Sequence, residues 1–442
     1  MRRHSAIAHR RRTVGERSGR CLGRRETFAR AVRRRAVCRD RSGHRQCGRR
    51  RHHPRTDESP GAQRTHRRRR TRRLCDRSDR ARTKVSGRVV STRIPVIVLG
   101  GTGYVAGEVL RLVLGHPQFE LAGVMSDSQP GEAVGKAFPH LAAALGGVVF
   151  ESQAAITQRI ASLPRSAVFS AAPHGVSAAL IDTLLQAAEA AGTQPRVVDI
   201  SADYRYSSAD AYAAVYKHAH GAPARIAQFT CAVPEHLAHA STPHVAHPGC
   251  FATATLLASV PLLTLDLVEP RLFVSGVTGS TGSGRKPVDG THHPTRHSDL
   301  YSYNALAHRH VPEITACAAA ASGVHADFAF VPHSGPFARG IHVTVQATLK
   351  RPLTGEEVLV KLREYYARAP FVRVDKSAPR VKDVASSNYA HLGAAADGRS
   401  VAVMCAIDNL NKGAAGGAVQ WMNRLFGLAE TTGLTAPAPG WT

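Results

Sequence analysis

The sequence lacks an apolar run long enough to cross a membrane and lacks cysteine pairs at metal-binding spacing. A transmembrane helix needs about 18 or more consecutive apolar residues, and no such run is present. The eight cysteines include no C-x-x-C pair, so neither a zinc site nor a disulfide framework is expected. We therefore expect a cytoplasmic protein with no metal and no membrane partner.

Acidic residues are scarce at the N-terminal end of the chain. Residues 1–93 hold 33 of the 59 Lys and Arg residues and 7 of the 32 Asp and Glu residues, a formal charge of +26. Residues 94–442 hold the remaining 26 basic and 25 acidic residues, a charge of +1. The body of the protein is thus nearly neutral, and its composition does not indicate nucleic-acid binding.

Residues 1–93 have few large apolar side chains and no helical or strand periodicity, which predicts a disordered Arg-rich extension. A nucleic-acid-binding arm is one alternative, because polybasic runs bind phosphate non-specifically. A targeting peptide fits less well, since the apolar core of a secretory signal is missing. We favour the interpretation that this extension is translated from GC-rich DNA that lies upstream of the true start of the protein. Because no Met lies between Met1 and Met125, the true start would use a non-Met codon, such as the one at Val85 or Val89.

A strand, a glycine-rich turn and a helix follow one another from residue 94. The apolar, β-branched run 94–99 precedes Gly101-x-Gly103-x-x-Ala106, which matches the dinucleotide-binding fingerprint and leads into helical spacing at 108–114. The α/β alternation continues with strands at 119–125, 167–171 and 197–201 and a helix at 176–191. This order predicts a Rossmann-type domain whose ligand binds at the carboxyl ends of the strands.

The end of the second predicted strand bears on the choice of cofactor. An acid there accepts from the ribose 2′-OH of NAD, whereas a nearby Arg accommodates the 2′-phosphate of NADP. Asp127 follows Ser126 and no Arg is adjacent, so the residues themselves leave this choice open. Pro173-His174-Gly175 and the stretch 201–205 follow later strands and are candidates for lining the cleft, although ordinary turn chemistry explains them equally well.

Cys250 follows a Pro248-Gly249 turn and precedes a predicted helix over 251–263. A helix N-terminus lowers a thiol pKa from about 8.5 towards roughly 3.5–7.5, which predicts a nucleophilic thiolate. A small buried hydrophobe is the alternative interpretation. The segment from His308 to Ile314 offers a base, since histidine titrates nearest to neutral pH.

Three further strand-like stretches, 272–277, 341–347 and 401–404, predict a mixed or antiparallel sheet faced by helices. A glycine-rich loop over 278–284 follows the first of them and ends in Arg285-Lys286. Backbone N–H groups and two cations favour binding of phosphate or carboxylate, although a flexible linker is the alternative.

These motifs, in this order over residues 94–442, closely resemble the N-acetyl-γ-glutamyl-phosphate reductase family of the aspartate-semialdehyde dehydrogenase superfamily. The resemblance is carried by the stretches at 100–104, 173–175, 199–205, 233–235, 248–251, 282–286, 308–314, 339–340, 370–372 and 408–420. Three positions depart from the family pattern: His247 stands where Asn is usual, Gly417 where Gln is usual, and Asp127 where Arg often follows the Ser.

The resemblance implies an α/β fold with an NAD(P)-binding Rossmann domain at 94–248, completed by 408–442, and an α+β catalytic and oligomerisation domain at 249–407. It implies a step of arginine biosynthesis, the NADP-dependent reduction of N-acetyl-γ-glutamyl phosphate to N-acetyl-glutamate 5-semialdehyde and phosphate through a Cys250 thioester. It also implies a homo-dimer or tetramer. The alternatives are NAD as the cofactor, another acyl phosphate (aminoadipyl or aspartyl) as the substrate, and a catalytically inactive dehydrogenase fold that binds nucleic acid through the N-terminal arm.

The resemblance also implies roles for individual residues. Cys250 is the nucleophile and His310 the acid–base group, although the sequence does not exclude His308. The implied cofactor-binding residues are Gly101, Thr102, Gly103, Tyr104, Val105, Ser126, Pro173 and Asn409. The implied substrate-binding residues are Arg285, Lys286, His308 and Arg205, with Arg339 as a further cation.

Overall fold

The computed structural model describes residues 93–441. The proposed disordered extension, apart from Arg93, lies outside these residues. The described chain contains two β-sheets, one of six strands and one of seven. Within residues 93–441, no helix has the length and apolar character needed to span a membrane.

The first sheet is parallel throughout. Its strands are β1 (Ile94–Leu99), β2 (Phe119–Val124), β3 (Arg165–Ser170), β4 (Gln194–Asp199), β5 (Phe229–Cys231) and β6 (His244–Ala246), in the order β2-β1-β3-β4-β6-β5. Because β2 pairs on one side of β1 and β3 on the other, the chain reverses its winding direction at β1. The crevice at such a switch point is where open α/β sheets bind ligands.

The second sheet is mixed. Its strands are β7 (Val268–Thr278), β8 (Tyr301–Ser302), β9 (Asp327–Ser334), β10 (Ile341–Leu349), β11 (Val372–Val374), β12 (Ala390–Asp397) and β13 (Ser400–Ile407), in the order β11-β12-β13-β10-β7-β9-β8. Alternate residues of β10, such as Val343 and Val345, are buried, whereas Gln346 and Thr348 are exposed. One face of this sheet is therefore covered by helices and the other is open.

Eleven α-helices occur in the described residues. They are α1 (Tyr104–Leu114), α2 (Val134–Ala137), α3 (Ala142–Leu145), α4 (Gln153–Ser162), α5 (Ser177–Ala191), α6 (Ala209–Tyr216), α7 (Cys250–Thr264), α8 (His293–Arg296), α9 (Val311–Ser322), α10 (Gly355–Tyr365) and α11 (Gly416–Leu425). Short 3₁₀ turns lie at Pro139–Leu141, Pro223–Gln228, Pro234–His236, Ser280–Ser283, Asp289–Thr291 and Val381–Asp383.

The helices and strands predicted from the sequence are all present, and their ends differ from the predicted ones by at most four residues. The Rossmann-type sheet and the second, mixed sheet confirm the predicted fold class. Strands β5, β6, β8, β9, β11 and β12 were not predicted, and four of these six have three residues or fewer. Such short strands carry too little periodicity to be recognised locally.

Helix α7 packs on the covered face of the second sheet. Phe251 to Leu263 are all buried against β7, β10, β13 and α9. Pro261 lies inside this helix and cannot donate to the carbonyl of Leu257. The hydroxyl of Tyr366 donates to that carbonyl at 2.7 Å instead. A contact from a distant part of the chain thus satisfies a polar group that the proline would leave unpaired.

The end of the described chain packs on the first sheet. A π-helical turn, Asn411–Ala415, leads directly into α11. Side chains of both, including Trp421, share a hydrophobic core with β1, β3 and α1. The indole N–H of Trp421 donates to the carbonyl of Ala232 at 2.9 Å. The C-terminal segment therefore runs from the second sheet back to the first.

Candidate active site

A cavity of about 620 Å³ lies between the carboxyl ends of the first sheet and the start of α7. Segments far apart in the sequence line it: the glycine turn, the loops after β3 and β4, the start of α7, the loop after β7, the turn before α9 and the start of the π-helical turn. Its wall includes Gly103, Tyr104, Val105, Pro173, His174, Arg205, Tyr216, Cys250, Arg285, Lys286, Arg309, His310, Asn409 and Gly413.

Cys250 is the first residue of α7 and is partly exposed to this cavity. Gly249 precedes it, and a Cβ on Gly249 would lie only 2.6 Å from Cε1 and Nε2 of His310. On the other side, a Cβ on Gly413 would lie 2.7 Å from the Cβ of Cys250. Glycine at these two positions allows the imidazole of His310 and the π-helical turn to pack closely against the turn that carries Cys250.

The expected thiolate is not the resting state of Cys250. Burial raises the pKa of the Cys250 thiol, and Glu313 acts in the same direction. The N–H of Phe251 and the charges of Arg205 and Arg309 lower that pKa, but burial has the largest effect. The position at the start of the helix therefore does not lower the thiol pKa enough to offset burial, and the thiol is protonated at neutral pH. A nucleophilic role then requires a base that removes the proton.

His310 is the candidate for that base. Burial, together with the positive charges of Arg205 and Arg309, holds the pKa of His310 well below its usual range. The imidazole is therefore neutral at pH 7 and can accept a proton. Its Nδ1 has no hydrogen-bond partner within residues 93–441.

His308 lies behind His310, outside the cavity lining. Its Nδ1 accepts from the backbone N–H of His310 at 3.2 Å, and the two rings meet edge to face with centroids 4.6 Å apart. His308 thus fixes the backbone and ring of His310. The geometry favours His310 over His308 for proton transfer. A residue that binds substrate directly must contact the cavity, and His308 does not.

A buried ion pair holds the Cys250 turn. Glu313 is fully buried and accepts the N–H of Gly249 at 2.7 Å and the guanidinium of Arg205 at 3.3 Å. Arg205 also donates to the carbonyls of His247 (2.9 Å) and Ile200 (2.8 Å). The expected substrate role of Arg205 is therefore limited to its remaining N–H groups. Glu313 was not predicted, although its position in the first turn of α9 was visible within the 308–314 motif.

The glycine turn after β1 packs as a dinucleotide site requires. Gly100 has φ +71°, and a Cβ on it would lie 2.5 Å from the backbone of Ala172. Gly101 is buried and donates to the carbonyl of Met125 at 2.8 Å, so it serves packing and does not line the cavity. Gly103 is different, because a Cβ there would meet nothing within 4 Å. Its missing side chain leaves open space at the N-terminus of α1.

A second cavity of about 830 Å³ adjoins the first on the far side of this turn. The two cavities share Gly103, Arg285 and Lys286. The other residues lining the second cavity are Thr102, Ser128, Gln129, Glu132, Lys136 and Ala137. Ser126 is buried and does not line either cavity, and its hydroxyl lies 3.3 Å from that of Ser128, which lines the second one. Asp127 does not line either cavity.

The loop after β7 lies over the glycine turn. Arg285 donates to the carbonyl of Thr102 at 3.1 Å and lies over the ring of Phe138, 5.4 Å from its centre. Arg285 and Lys286 line both cavities, so these two cations lie between the predicted cofactor turn and the Cys250 cavity. They remain candidates for binding an anion at either place.

Asn409 and Arg339 join segments that are distant in the sequence. The side chain of Asn409 accepts from the N–H of Gly340 at 2.7 Å and donates to Thr281 at 3.0 Å. Arg339 pairs with Asp408 at 2.9 Å and also with Glu108 of α1. The role of Arg339 as a substrate cation is therefore not supported, because its guanidinium is bound to two carboxylates and does not line the cavity.

Arg309 lines the cavity and was not predicted as a site residue. It is exposed, and its guanidinium lies 5.9 Å from the ring centre of Tyr216. The ring of His174 in turn lies 5.0 Å from that of Tyr216. The sequence signal that could have identified Arg309 was its position between the two histidines of the 308–314 motif.

The fold and this site place the chain in the semialdehyde dehydrogenase class of oxidoreductases. Residues 95–247 match the family model described as semialdehyde dehydrogenase, NAD binding domain, and residues 250–409 match semialdehyde dehydrogenase, dimerisation domain. The solved structure of aspartate semialdehyde dehydrogenase II from Vibrio cholerae, complexed with ASA, has a TM-score of 0.56 at 15% identity, covering 76% of this chain and 98% of that one. The corresponding Candida albicans enzyme with NADP has a TM-score of 0.55 at 14% identity, covering 75% and 99%.

Curated relatives narrow the class to a family. The N-acetyl-gamma-glutamyl-phosphate reductase of Pseudomonas fluorescens (strain SBW25) is 38% identical over 351 residues, which cover 77% of this chain and 98% of the relative. The protein of the same name from Symbiobacterium thermophilum is 36% identical over 354 residues, 78% of this chain and 99% of the relative. The chain belongs to the N-acetyl-γ-glutamyl-phosphate reductase family, as the sequence motifs had indicated.

Proposed function

We propose that the protein reduces N-acetyl-γ-glutamyl phosphate to N-acetyl-glutamate 5-semialdehyde and phosphate with NADPH, as a step of arginine biosynthesis. The observation that carries this proposal is the contact of His310 with the Cys250 turn, in a cavity shared with the glycine turn. The names of the curated relatives support the choice of substrate.

The described residues fit a nicotinamide dinucleotide. The open space at Gly103, beside the first N–H groups of α1, suits a pyrophosphate. Thr102, Tyr104, Val105, Pro173 and Asn409 surround the same space and would hold the cofactor. When bound, the reduced nicotinamide supplies the hydride for the reaction.

We assign the NADP preference to the second cavity. Lys136, Arg285 and Lys286 line it, whereas Asp127, which would select the ribose 2′-OH of NAD, does not. Lys136 is also paired with Glu132 at 2.7 Å on the surface, so the net positive charge there is modest.

The first chemical step uses Cys250 and His310. As the Cys250 sulfur forms a bond to the acyl carbon, His310 accepts the thiol proton and passes it to the departing phosphate. The acyl carbon–oxygen bond breaks, and a thioester on Cys250 remains. The nucleophile thereby divides one difficult step into two easier ones. The neutral imidazole and protonated thiol of the free protein are the correct starting states for this transfer.

The second step returns the enzyme to its starting state. After hydride addition to the thioester carbon, the resulting thiohemiacetal oxyanion collapses and the carbon–sulfur bond breaks. Cys250 leaves as the thiolate. His310, neutral after the first step, takes up one proton from solvent and passes it to that thiolate, so both groups return to their starting states. Overall, one hydride and one proton are consumed for each phosphate released. A positioned acid–base group of this kind contributes about 10²- to 10⁴-fold to the rate.

The cations of the site suit an anionic substrate. Arg285 and Lys286 are proposed to receive the phosphate, and Arg205 to hold the turn with its remaining N–H groups available to the substrate. His308 is proposed to act through His310 and not by direct contact.

We also propose a homo-dimer or tetramer. The second sheet has one open face, on which Phe273 is 50% exposed, and residues 250–409 match a dimerisation domain. Sedimentation of the purified protein measures the assembly directly, and a monomer at micromolar concentration would contradict it.

The function is tested in the reverse direction, with semialdehyde, phosphate and oxidised cofactor, by following cofactor reduction by absorbance. The wild-type protein should turn over, and Cys250→Ser should not, although it should still bind the cofactor. Absence of turnover with N-acetyl-glutamate semialdehyde in the wild type would remove the assignment. Turnover by Cys250→Ser would remove the thioester mechanism.

A further inference from the structure

The charge of Arg309 is not neutralised by any other part of the described chain. No ion pair or side-chain hydrogen bond involves its guanidinium within residues 93–441. Of the neighbouring cations, Arg205 is bound by Glu313 and Arg285 by the Thr102 carbonyl. A free guanidinium on the wall of a cavity is suited to binding an anion that enters it.

The backbone of Arg309 is firmly held although its side chain is exposed. His308 and His310, on either side of it, are both buried. The carbonyl of Arg309 accepts the hydroxyl of Tyr206 at 3.2 Å, and the ring of Tyr216 supports its guanidinium. A planar fork on a rigid wall can bind a carboxylate through two parallel hydrogen bonds.

The proposed substrate has two anionic ends, and they behave differently during the reaction. The phosphate is bonded to the carbon that Cys250 attacks and must leave, whereas the α-carboxylate stays throughout both steps. Arg285 and Lys286 lie on the glycine-turn wall, and Arg309 lies on the wall formed with Tyr216 and His174. Two groups of cations on different walls match two anions at opposite ends of one substrate.

We propose that Arg309 binds the α-carboxylate of the substrate and thereby selects acyl phosphates of carboxylated chains. This inference rests on the proposed function, because it takes the substrate from it. Arg309 is a binding residue that stays in contact with the carboxylate from the first step to the last. Tyr216 is a positioning residue that holds the guanidinium.

The reverse reaction separates the two anions, because semialdehyde and phosphate are then independent substrates. Arg309→Gln should raise the KM for the semialdehyde by roughly 10- to 100-fold, the loss expected for a hydrogen-bonded charge pair. The KM for phosphate and for the cofactor should stay within about threefold, and Arg309→Lys should recover part of the loss. Arg165→Gln serves as a matched control, since Arg165 is exposed at the opposite, amino end of β3.

A substrate variant completes the test. The α-methyl ester of the semialdehyde should be a poor substrate for the wild type, and Arg309→Gln should no longer distinguish the ester from the acid. If the wild type turns over but Arg309→Gln keeps its KM for the acid, raises the KM for phosphate instead, or loses only kcat, the inference is wrong. If the wild type itself does not turn over this semialdehyde, the proposed function has failed.

Discussion

His247 and Gly417 are in contact, and their contact makes a strong prediction about stability. These are two of the positions that depart from the family pattern, and they lie 170 residues apart in the sequence. A Cβ added to Gly417 would lie 2.3 Å from Cε1 and 2.5 Å from Nε2 of the His247 ring. The exchange Gly417→Ala therefore cannot be accommodated unless the ring moves.

The magnitude follows from the burial of that ring. Non-bonded carbon atoms are in optimal contact at about 3.5–4.0 Å, so the ring must shift by roughly 1 Å or more. His247 is completely buried, and burial also lowers its pKa to about 3, so it can neither reach solvent nor ionise at neutral pH. Overpacking of this kind costs about 1–3 kcal/mol, and we expect the upper half of that range.

The free energy of unfolding is measured by denaturant titration for the wild type and for Gly417→Ala. The same measurement is made for the single exchanges His247→Asn and Gly417→Gln and for the double variant that combines them. The double variant should be more stable than the sum of the two single exchanges predicts, because one side chain fills the space that the other leaves. Gly147→Ala is the control, since a Cβ there meets nothing within 4 Å.

Activity should follow stability at this pair. His247 precedes the Pro248-Gly249 turn, and its carbonyl accepts from Arg205, so a displaced ring should also disturb Cys250. Equal stability of Gly417→Ala and Gly147→Ala, or strict additivity in the double variant, would refute the reasoning.

Three further predictions concern the thiol, the cofactor and the core. Alkylation of Cys250 in the cofactor-free protein should keep accelerating above pH 8.5, roughly the pKa of a free thiol, because burial raises its pKa; a plateau below that pH would contradict this. Lys136→Gln should raise the KM for NADP and leave that for NAD unchanged, and equal effects on both would exclude a 2′-phosphate contact. Tyr366→Phe should cost about 1–3 kcal/mol in unfolding free energy, because the Leu257 carbonyl loses its donor and Nε2 of His236 loses its partner; the control Tyr301→Phe, whose hydroxyl makes one long, exposed hydrogen bond, should cost much less.

Local patterns predicted the first four strands of the parallel sheet, three strands of the mixed sheet and three of the α-helices in the described residues. The apolar run 94–99, the glycine turn and the helical spacing after it are short-range signals, and they identified β1, α1 and the dinucleotide fingerprint. The Pro-Gly turn before an apolar helix likewise identified Cys250 at the start of α7. Each of these features depends on residues that are close neighbours in the chain.

Contacts between distant residues decided the chemistry of the site. Whether a cation is free or bound depends on partners from other segments: Arg339 is held by Asp408 and Glu108, whereas Arg309 has no such partner in residues 93–441. The proposal of His310 and not His308 as the acid–base group depends on which ring reaches the cavity.

The sequence alone predicted the strand, turn and helix order at 94–114, the family resemblance and Cys250 as the candidate nucleophile, since these are written in neighbouring residues. The protonation state of Cys250 and the match between His247 and Gly417 required the folded chain. The physical reason is that burial and steric contact are set by side chains brought together from both domains, and no local pattern records either one.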